Sequence, residues 1–288
     1  MTVQFSANPT EFGFEQLILT LDGDLARITL NRPQVRNCLS MRLSDELINA
    51  LRLVQASEEV KFLVVDGAGG TFCAGDDITE MPKWGNANQV MRRVQLYQEM
   101  ANTLEELDKI TIAAVEGFAV GGGLELTMAC DFVIASDEAR WGMPEVDVGI
   151  TPGWGGTTRM ARLIGRRRTK EINLLGALMS AQRAVELNLW NVAVPAAELE
   201  SEVDRLLALL RTKNQQAVRQ LKFIINKNVE ADLYTAQGFE KLSAGLTGAV
   251  NGGWRVSDAD QGAGISGFAA KDELWQTRRG VATDFWSR

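Results

Sequence analysis

Two carboxylates in apolar company are the best candidates for chemistry in this sequence. Glu125 follows Gly121-Gly122-Gly123-Leu124 and precedes Leu126, Met128 and Ala129, which puts it in the first turn of an otherwise apolar helix. Glu145 lies in Trp141-Gly142-Met143-Pro144-Glu145-Val146, ahead of Gly149-Ile150-Thr151-Pro152-Gly153-Trp154-Gly155-Gly156. Burial disfavours the charged form of a carboxylate, so in such surroundings each would hold a raised pKa suited to proton transfer near neutral pH. The alternatives are a surface glutamate favoured by the helix dipole at 125 and a solvated turn residue at 145. The chain contains no histidine. Ser-His-Asp and Cys-His catalysis and histidine zinc sites are thereby excluded, and acid–base work falls to Asp, Glu, Lys, Tyr or Cys.

Two small-residue stretches accompany these carboxylates. Phe72-Cys73-Ala74-Gly75-Asp76-Asp77-Ile78 comes directly after one strand pattern, and Gly117-Phe118-Ala119-Val120-Gly121-Gly122-Gly123 after another. Small residues let a ligand approach the backbone, and a helix start presents free N–H groups to negative charge. One N–H from each stretch would make an oxyanion hole for a thioester carbonyl gaining enolate character. Taken alone, the triple glycine is equally a tight strand-to-helix turn. The triple-glycine stretch does not fit the G-x-G-x-x-G fingerprint, and no P-loop is present.

The elements that must position these residues alternate. Segments 16–21 and 25–30 read as strands around the turn Asp22-Gly23-Asp24. Leu43, Leu47, Leu51 and Val54 share a helix face, with Ser40 as N-cap. Segment 61–65 reads as a buried strand, Val90, Val94, Tyr97, Ala101 and Leu104 as a long helix, and 110–115 and 131–135 as further strands. This order gives an α/β core. Beyond about residue 156 the spacing turns helical over 162–175, 181–189, 198–210, 215–227 and 231–246, with 192–194 a short exception. Segment 248–267 is rich in Gly, Ser and Asp and reads as a loop. The expected division is a core domain over 1–200 and a helical region over 201–288.

Composition narrows the function classes. With 288 residues, 45% hydrophobic and 23% charged, the chain reads as an ordinary globular protein. A net charge of −7 argues against nucleic-acid binding. No apolar run is long enough to span a bilayer, and the opening residues lack the pattern of a signal peptide, so a cytoplasmic protein without membrane partners is expected. Cys38, Cys73 and Cys130 are too scattered for a disulfide framework or a zinc site, and no metal is expected. Trp84, Trp141 and Trp154 either pack in the core or shape a pocket. Arg166-Arg167-Arg168 with Lys170 reads as a solvated helix face.

Five segments in order resemble motifs of the crotonase (enoyl-CoA hydratase/isomerase) superfamily, most closely its enoyl-CoA hydratases. Asn31-Arg32-Pro33 with Arg36-Asn37-Cys38-Leu39 resembles the family's NRP…NAL opening, and Phe72–Ile78 its AGxDI loop. Gly121–Leu126 resembles GGGxEL, Trp141–Glu145 resembles FGxPE with Trp for Phe, and Pro152–Gly156 resembles PGxGG. The resemblance implies a spiral of repeated strand–strand–helix turns with a helical C-terminal region that builds trimers or hexamers. It implies Glu125 and Glu145 as the acid–base pair of an enoyl-CoA hydratase, and the N–H groups of Ala74 and Gly122 as the oxyanion hole. Ala74, Gly75, Asp76, Asp77, Ile78, Gly122 and Gly153 would line the path of the acyl-CoA substrate. Phe268 and Lys271 would approach the coenzyme A nucleotide. No cofactor beyond the coenzyme A of the substrate is implied. Double-bond isomerisation, hydrolysis of a cyclic β-ketoacyl-CoA and non-catalytic acyl-CoA binding are the alternatives.

Overall fold

A computed structural model describes residues 12–250 and 286. The chain divides into two compact units, Met1–Leu210 and Arg211–Arg288.

In chain order the first unit contains β1 (Leu17–Asp22), β2 (Leu25–Leu30), α1 (Met41–Ala56), β3 (Phe62–Gly67), α2 (Ala87–Glu106), β4 (Ile110–Val115), β5 (Phe118–Val120), α3 (Gly122–Met128), β6 (Phe132–Ser136) and β7 (Arg140–Gly142). It continues with α4 (Thr158–Leu175), β8 (Met179–Ser180), α5 (Ala181–Glu186), β9 (Val192–Val194) and α6 (Leu199–Arg211). Six strands form one sheet in the order β1-β2-β3-β4-β6-β9. Only the β1–β2 hairpin in it is antiparallel; the remaining neighbours are parallel. Every residue of β4 is buried, as expected of a strand covered on both faces.

A second, smaller layer consists of β5, β7 and β8. Isolated parallel bridges extend it, Cys73 to Ala119 and Leu39 to Asp76. Successive turns of the chain thus run from a strand of the large sheet, through a short extended segment of the small layer, into a helix: β3, Cys73–Asp76 and α2; then β4, β5 and α3. This is the repeated strand–strand–helix spiral. The strands β5, β7 and β8 are two or three residues long and lie inside or beside the glycine-rich motifs, so no alternation of apolar residues marks them.

Local signals explain the helices. Ser40 Oγ accepts the Leu43 N–H at 3.0 Å, capping α1 as expected, and Leu43, Leu47, Leu51 and Val54 are all buried. Asn86 and Gln89 close a capping box that starts α2 at Ala87, three residues before the first periodic apolar residue.

In the second unit, α7 (Gln215–Asn228) and α8 (Leu233–Val250) pack against each other, with Phe223 and Phe239 edge-to-face at 6.1 Å. Of the expected loop 248–267, the first three residues belong to α8 and the rest lie outside the described residues. Phe268 and Lys271 lie outside them too.

Candidate active site

The short helix α3 is the hub of the site, and its glycines are there because neighbouring groups come too close for a side chain. Gly121, the N-cap, has φ +53, and its N–H donates to the Gly142 carbonyl at 2.9 Å. A Cβ on Gly122 would sit 2.5 Å from Trp154 Cζ2, and one on Gly123 would run into the Cys73 carbonyl. The turn thus presses α3 against both the 73–76 segment and the Trp154 loop.

Glu125 projects from the first turn of α3 and is almost fully buried. Its Oε1 accepts the backbone N–H groups of Trp154 at 2.9 Å and Gly156 at 2.7 Å. Burial is the main influence on this carboxyl and pushes its pKa up to about 8; the two N–H groups oppose that shift, and the charges of Asp76 and Glu145 add to it. Glu145 is the second residue of a 3₁₀ turn, Pro144–Val148. A Cβ on Gly121 would lie 3.0 Å from Glu145 Oε1, so this carboxylate leans on the start of α3. Its Oε2 is buried without a hydrogen-bond partner, and burial raises its pKa. The two sequence-predicted glutamates are therefore brought to one place.

A third carboxylate joins them. Asp76 Oδ1 is buried and unpartnered, 3.3 Å from the position a Cβ would take on Gly122. Burial, and then the charge of Glu145, raise the Asp76 pKa to about 7. Trp154 is near enough to favour ionised Asp76, but its Nε1 and the Asp76 carboxylate stop short of a hydrogen bond. Sequence reasoning placed Asp76 on the substrate path and missed its carboxylate as a member of the site. The signal was available: an ionisable residue at the variable position of an AGxDI loop.

The expected donor at Ala74 requires correction. The Ala74 N–H donates to the Arg36 carbonyl at 3.0 Å, so it is engaged within the protein. Two residues on, Leu39 N–H bonds Gly75 O at 2.8 Å and Asp77 N–H bonds Leu39 O at 3.0 Å. In a parallel bridge of this kind the intervening residue turns its own N–H to the opposite edge. The Asp76 N–H therefore faces β5 and the start of α3, and it has no acceptor among the described residues. The Gly122 N–H, first in α3, also lacks one. Gly75, at φ +98, lets the segment come close: a Cβ there would be 3.5 Å from Gly122 N.

The other expected site residues have varied places. Asp77 is held by Arg32 Nη2 at 3.0 Å and caps Thr79, and these partners hold its pKa below the ordinary range despite burial. Buried Asn37 donates to the Ala68 and Thr71 carbonyls and accepts the Arg32 N–H. The NRP…RN segment is thus a set of pins holding the 67–77 loop. Ile78 is exposed. Gly153 abuts Val94, and its carbonyl accepts Gln98 Nε2 at 2.8 Å. Trp141 is core: its Nε1 donates to Ser180 O at 2.8 Å and its ring packs against Trp190. Trp84 and Trp154 instead meet around Tyr97 beside the carboxylates. Among the described residues, no group of three His, Cys, Asp or Glu is arranged to hold a metal ion, and no helix is long and apolar enough to cross a membrane.

The family described as enoyl-CoA hydratase/isomerase matches residues 21–249. A crotonyl-CoA hydratase from Syntrophomonas wolfei is 35% identical over 259 residues, covering 90% of this chain and 96% of the relative. Among solved structures, an enoyl-CoA hydratase from Bacillus anthracis superposes with a TM-score of 0.79 at 33% identity, covering 89% of this chain and 97% of the other. A Thermobifida fusca protein in complex with acetoacetyl-CoA gives 0.75 at 32% identity, with 85% and 99% covered.

Proposed function

Since the chain belongs to the enoyl-CoA hydratase/isomerase family, we propose that it adds water reversibly across the double bond of a 2-enoyl-CoA thioester. The observation that carries this is the pairing of Glu125, clamped by two backbone N–H groups through Oε1, with Glu145, whose Oε2 is buried and unpartnered, on either side of the α3 start. A hydratase must move a proton at two places, and two carboxyls with raised pKa values fit that need.

In this mechanism Glu125 takes a proton from water as the oxygen bonds to C3, and Glu145 gives a proton to C2. The electron pair of the double bond passes through an enolate-like state whose thioester oxygen accepts the N–H groups of Asp76 and Gly122. The products balance as one water added, with no redox change and no need for a metal or a cofactor other than the substrate's own coenzyme A. The protein is read as cytoplasmic, acting as a homotrimer or homohexamer with no nucleic-acid or membrane partner.

The test is incubation with a panel of 2-enoyl-CoA thioesters, following the loss of conjugated-thioester absorbance and the product mass. A gain of one water is expected. A shifted double bond at unchanged mass would make the protein an isomerase, and binding of the whole panel without turnover would make it a non-catalytic acyl-CoA binder.

A further inference from the structure

The two N–H groups that hold Glu125 Oε1 lie on the loop 153–156. Three of its four residues are glycine, the residue that loses most conformational freedom when fixed. A loop so composed keeps two donors within 2.7 and 2.9 Å of one oxygen only if groups outside it fix its backbone. Its four carbonyls show which groups do. The Gly153 carbonyl accepts Gln98 Nε2 at 2.8 Å, the Trp154 carbonyl Arg159 Nη1 at 2.8 Å, and the Gly156 carbonyl Asn173 Nδ2 at 3.1 Å. The Gly155 carbonyl takes the backbone N–H groups of Arg159 at 2.9 Å and Met160 at 3.3 Å, in the first turn of α4. The Trp154 N–H shares a peptide unit with the Gly153 carbonyl, and the Gly156 N–H shares one with the Gly155 carbonyl. A donor on each carbonyl polarises its unit and strengthens the N–H bond at the other end.

Arg159 anchors this arrangement. Its side chain is 13% exposed, and besides the Trp154 carbonyl it engages Glu105 Oε2 through Nε at 3.0 Å and Nη2 at 2.6 Å, and Asn102 Oδ1 at 2.7 Å. A Cβ on Gly155 would stand 3.1 Å from Arg159 Nη1, so glycine there lets the guanidinium lie against the loop. The partners that α2 supplies recur at helical spacing: Val94 against Gly153, Gln98 on its carbonyl, then Asn102 and Glu105 on Arg159. Both bonds to Glu125 fall on Oε1, and Oε2 accepts none among the described residues. The loop thus orients the carboxylate and leaves Oε2 as the atom that receives a proton.

We propose that Arg159 and Gln98 are positioning residues for Glu125: by tying the 153–156 loop to α2, they aim the Trp154 and Gly156 N–H groups at Oε1 and keep Oε2 turned to the reacting water. The part played by water rests on the hydratase reading; the hold on Glu125 does not. Both side chains act through the backbone rather than on the reacting atoms. A small misplacement of a catalytic group is enough to slow a reaction strongly, so a loop fixed at every carbonyl has a direct use here.

The experiment compares Arg159→Met and Gln98→Met with the wild-type full chain, each also in the Glu125→Gln background, on the best 2-enoyl-CoA. Methionine keeps an unbranched side chain and removes the donor. Arg159→Met is expected to lower kcat about 10²-fold with KM near wild type. Gln98→Met, whose bond is exposed, should lower it about fivefold. In the Glu125→Gln background both losses should nearly vanish, because the group being aimed is gone. Weaker bonds to Glu125 favour its protonated form, so the alkaline limb of kcat/KM should move to higher pH. A purely structural role would lower the urea midpoint and leave that limb in place. Infrared titration of the protonated carboxyl band, assigned by its loss in Glu125→Gln, reads the same shift without turnover. If no 2-enoyl-CoA is hydrated while Arg159→Met still raises this titration, the hydratase proposal fails and the positioning role stands. Should Arg159→Met not fold, Gln98→Met decides. Folded variants with wild-type kcat and an unmoved titration, or losses undiminished in the Glu125→Gln background, would overturn the positioning role.

Discussion

The Trp154 backbone N–H donates to Glu125 Oε1 at 2.9 Å, and Gly156 adds a second bond at 2.7 Å. Such bonds favour the ionised carboxylate, yet burial and the neighbouring charges of Asp76 and Glu145 outweigh them and leave Glu125 at about 8. The pair shares one proton near neutral pH, which the reaction uses from Glu145 with Glu125 ionised, and it loses that shared proton on the alkaline side. A kcat/KM profile from pH 5 to 10 is expected to fall through an apparent pKa near that value, belonging to the pair as a whole. Asp76→Asn removes a negative neighbour and should move this alkaline limb to lower pH. An unmoved limb, or one moved upward, would remove Asp76 from the electrostatics of the pair.

The same shift makes stability depend on pH. Glu125 titrates near 4.5 when unfolded and near 8 when folded, so between these values the native state binds more protons. The contribution of Glu125 to stability is therefore fully present below its unfolded pKa and falls as pH rises toward 8. Urea midpoints at pH 5 and pH 8 should show that Glu125→Gln flattens the decline attributable to this group. An identical pH dependence in wild type and variant would contradict the burial assigned to Glu125.

Backbone donors can be tested without adding a side chain, which matters because a Cβ on Gly122 would strike Trp154. Replacing the residue with its α-hydroxy analogue turns the amide into an ester and deletes one N–H. An ester at Gly122 or at Asp76 should cost about 10²–10³-fold in kcat. An ester at Ala74 deletes only the bond to the Arg36 carbonyl and should cost about 1 kcal/mol of stability with little change in rate. Strong catalytic loss from the Ala74 ester alone would restore the assignment made from the sequence.

That two-residue shift shows where sequence reading stopped. The hairpin, α1 with its Ser40 cap and the buried strand β4 were legible because their apolar periods are long and their caps use distinctive residues. Glu125 and Glu145 were legible because ionisable residues stand out among glycines and apolar neighbours. The direction of an N–H along Cys73–Asp76 was not, since it depends on a single bridge to Leu39 and on the positive φ of Gly75. Tyr97 was counted only as one apolar residue of a helix stripe. Its contact with Trp154, far along the chain, exists only in the folded protein.

The helices α7 and α8 carry Leu221, Phe223, Ile225, Leu233, Tyr234, Leu242 and Leu246 exposed. Apolar stripes of this extent call for cover. Light scattering at micromolar concentration should give three or six times the 31.6 kDa chain mass. A stable monomer would contradict the proposed assembly.

The paired action of Glu125 and Glu145 is tested most directly by hydration rates of Glu125→Gln, Glu145→Gln and the double variant on the best 2-enoyl-CoA. Glutamine keeps size and hydrogen bonding while removing proton transfer. Each single variant is expected to lose about 10²–10⁴-fold in kcat. Because the two residues act as a unit, the double variant should be little worse than the poorer single one. A Glu125→Gln enzyme turning over at near the wild-type rate beside a dead Glu145→Gln enzyme would contradict the paired mechanism and leave a single-base isomerase.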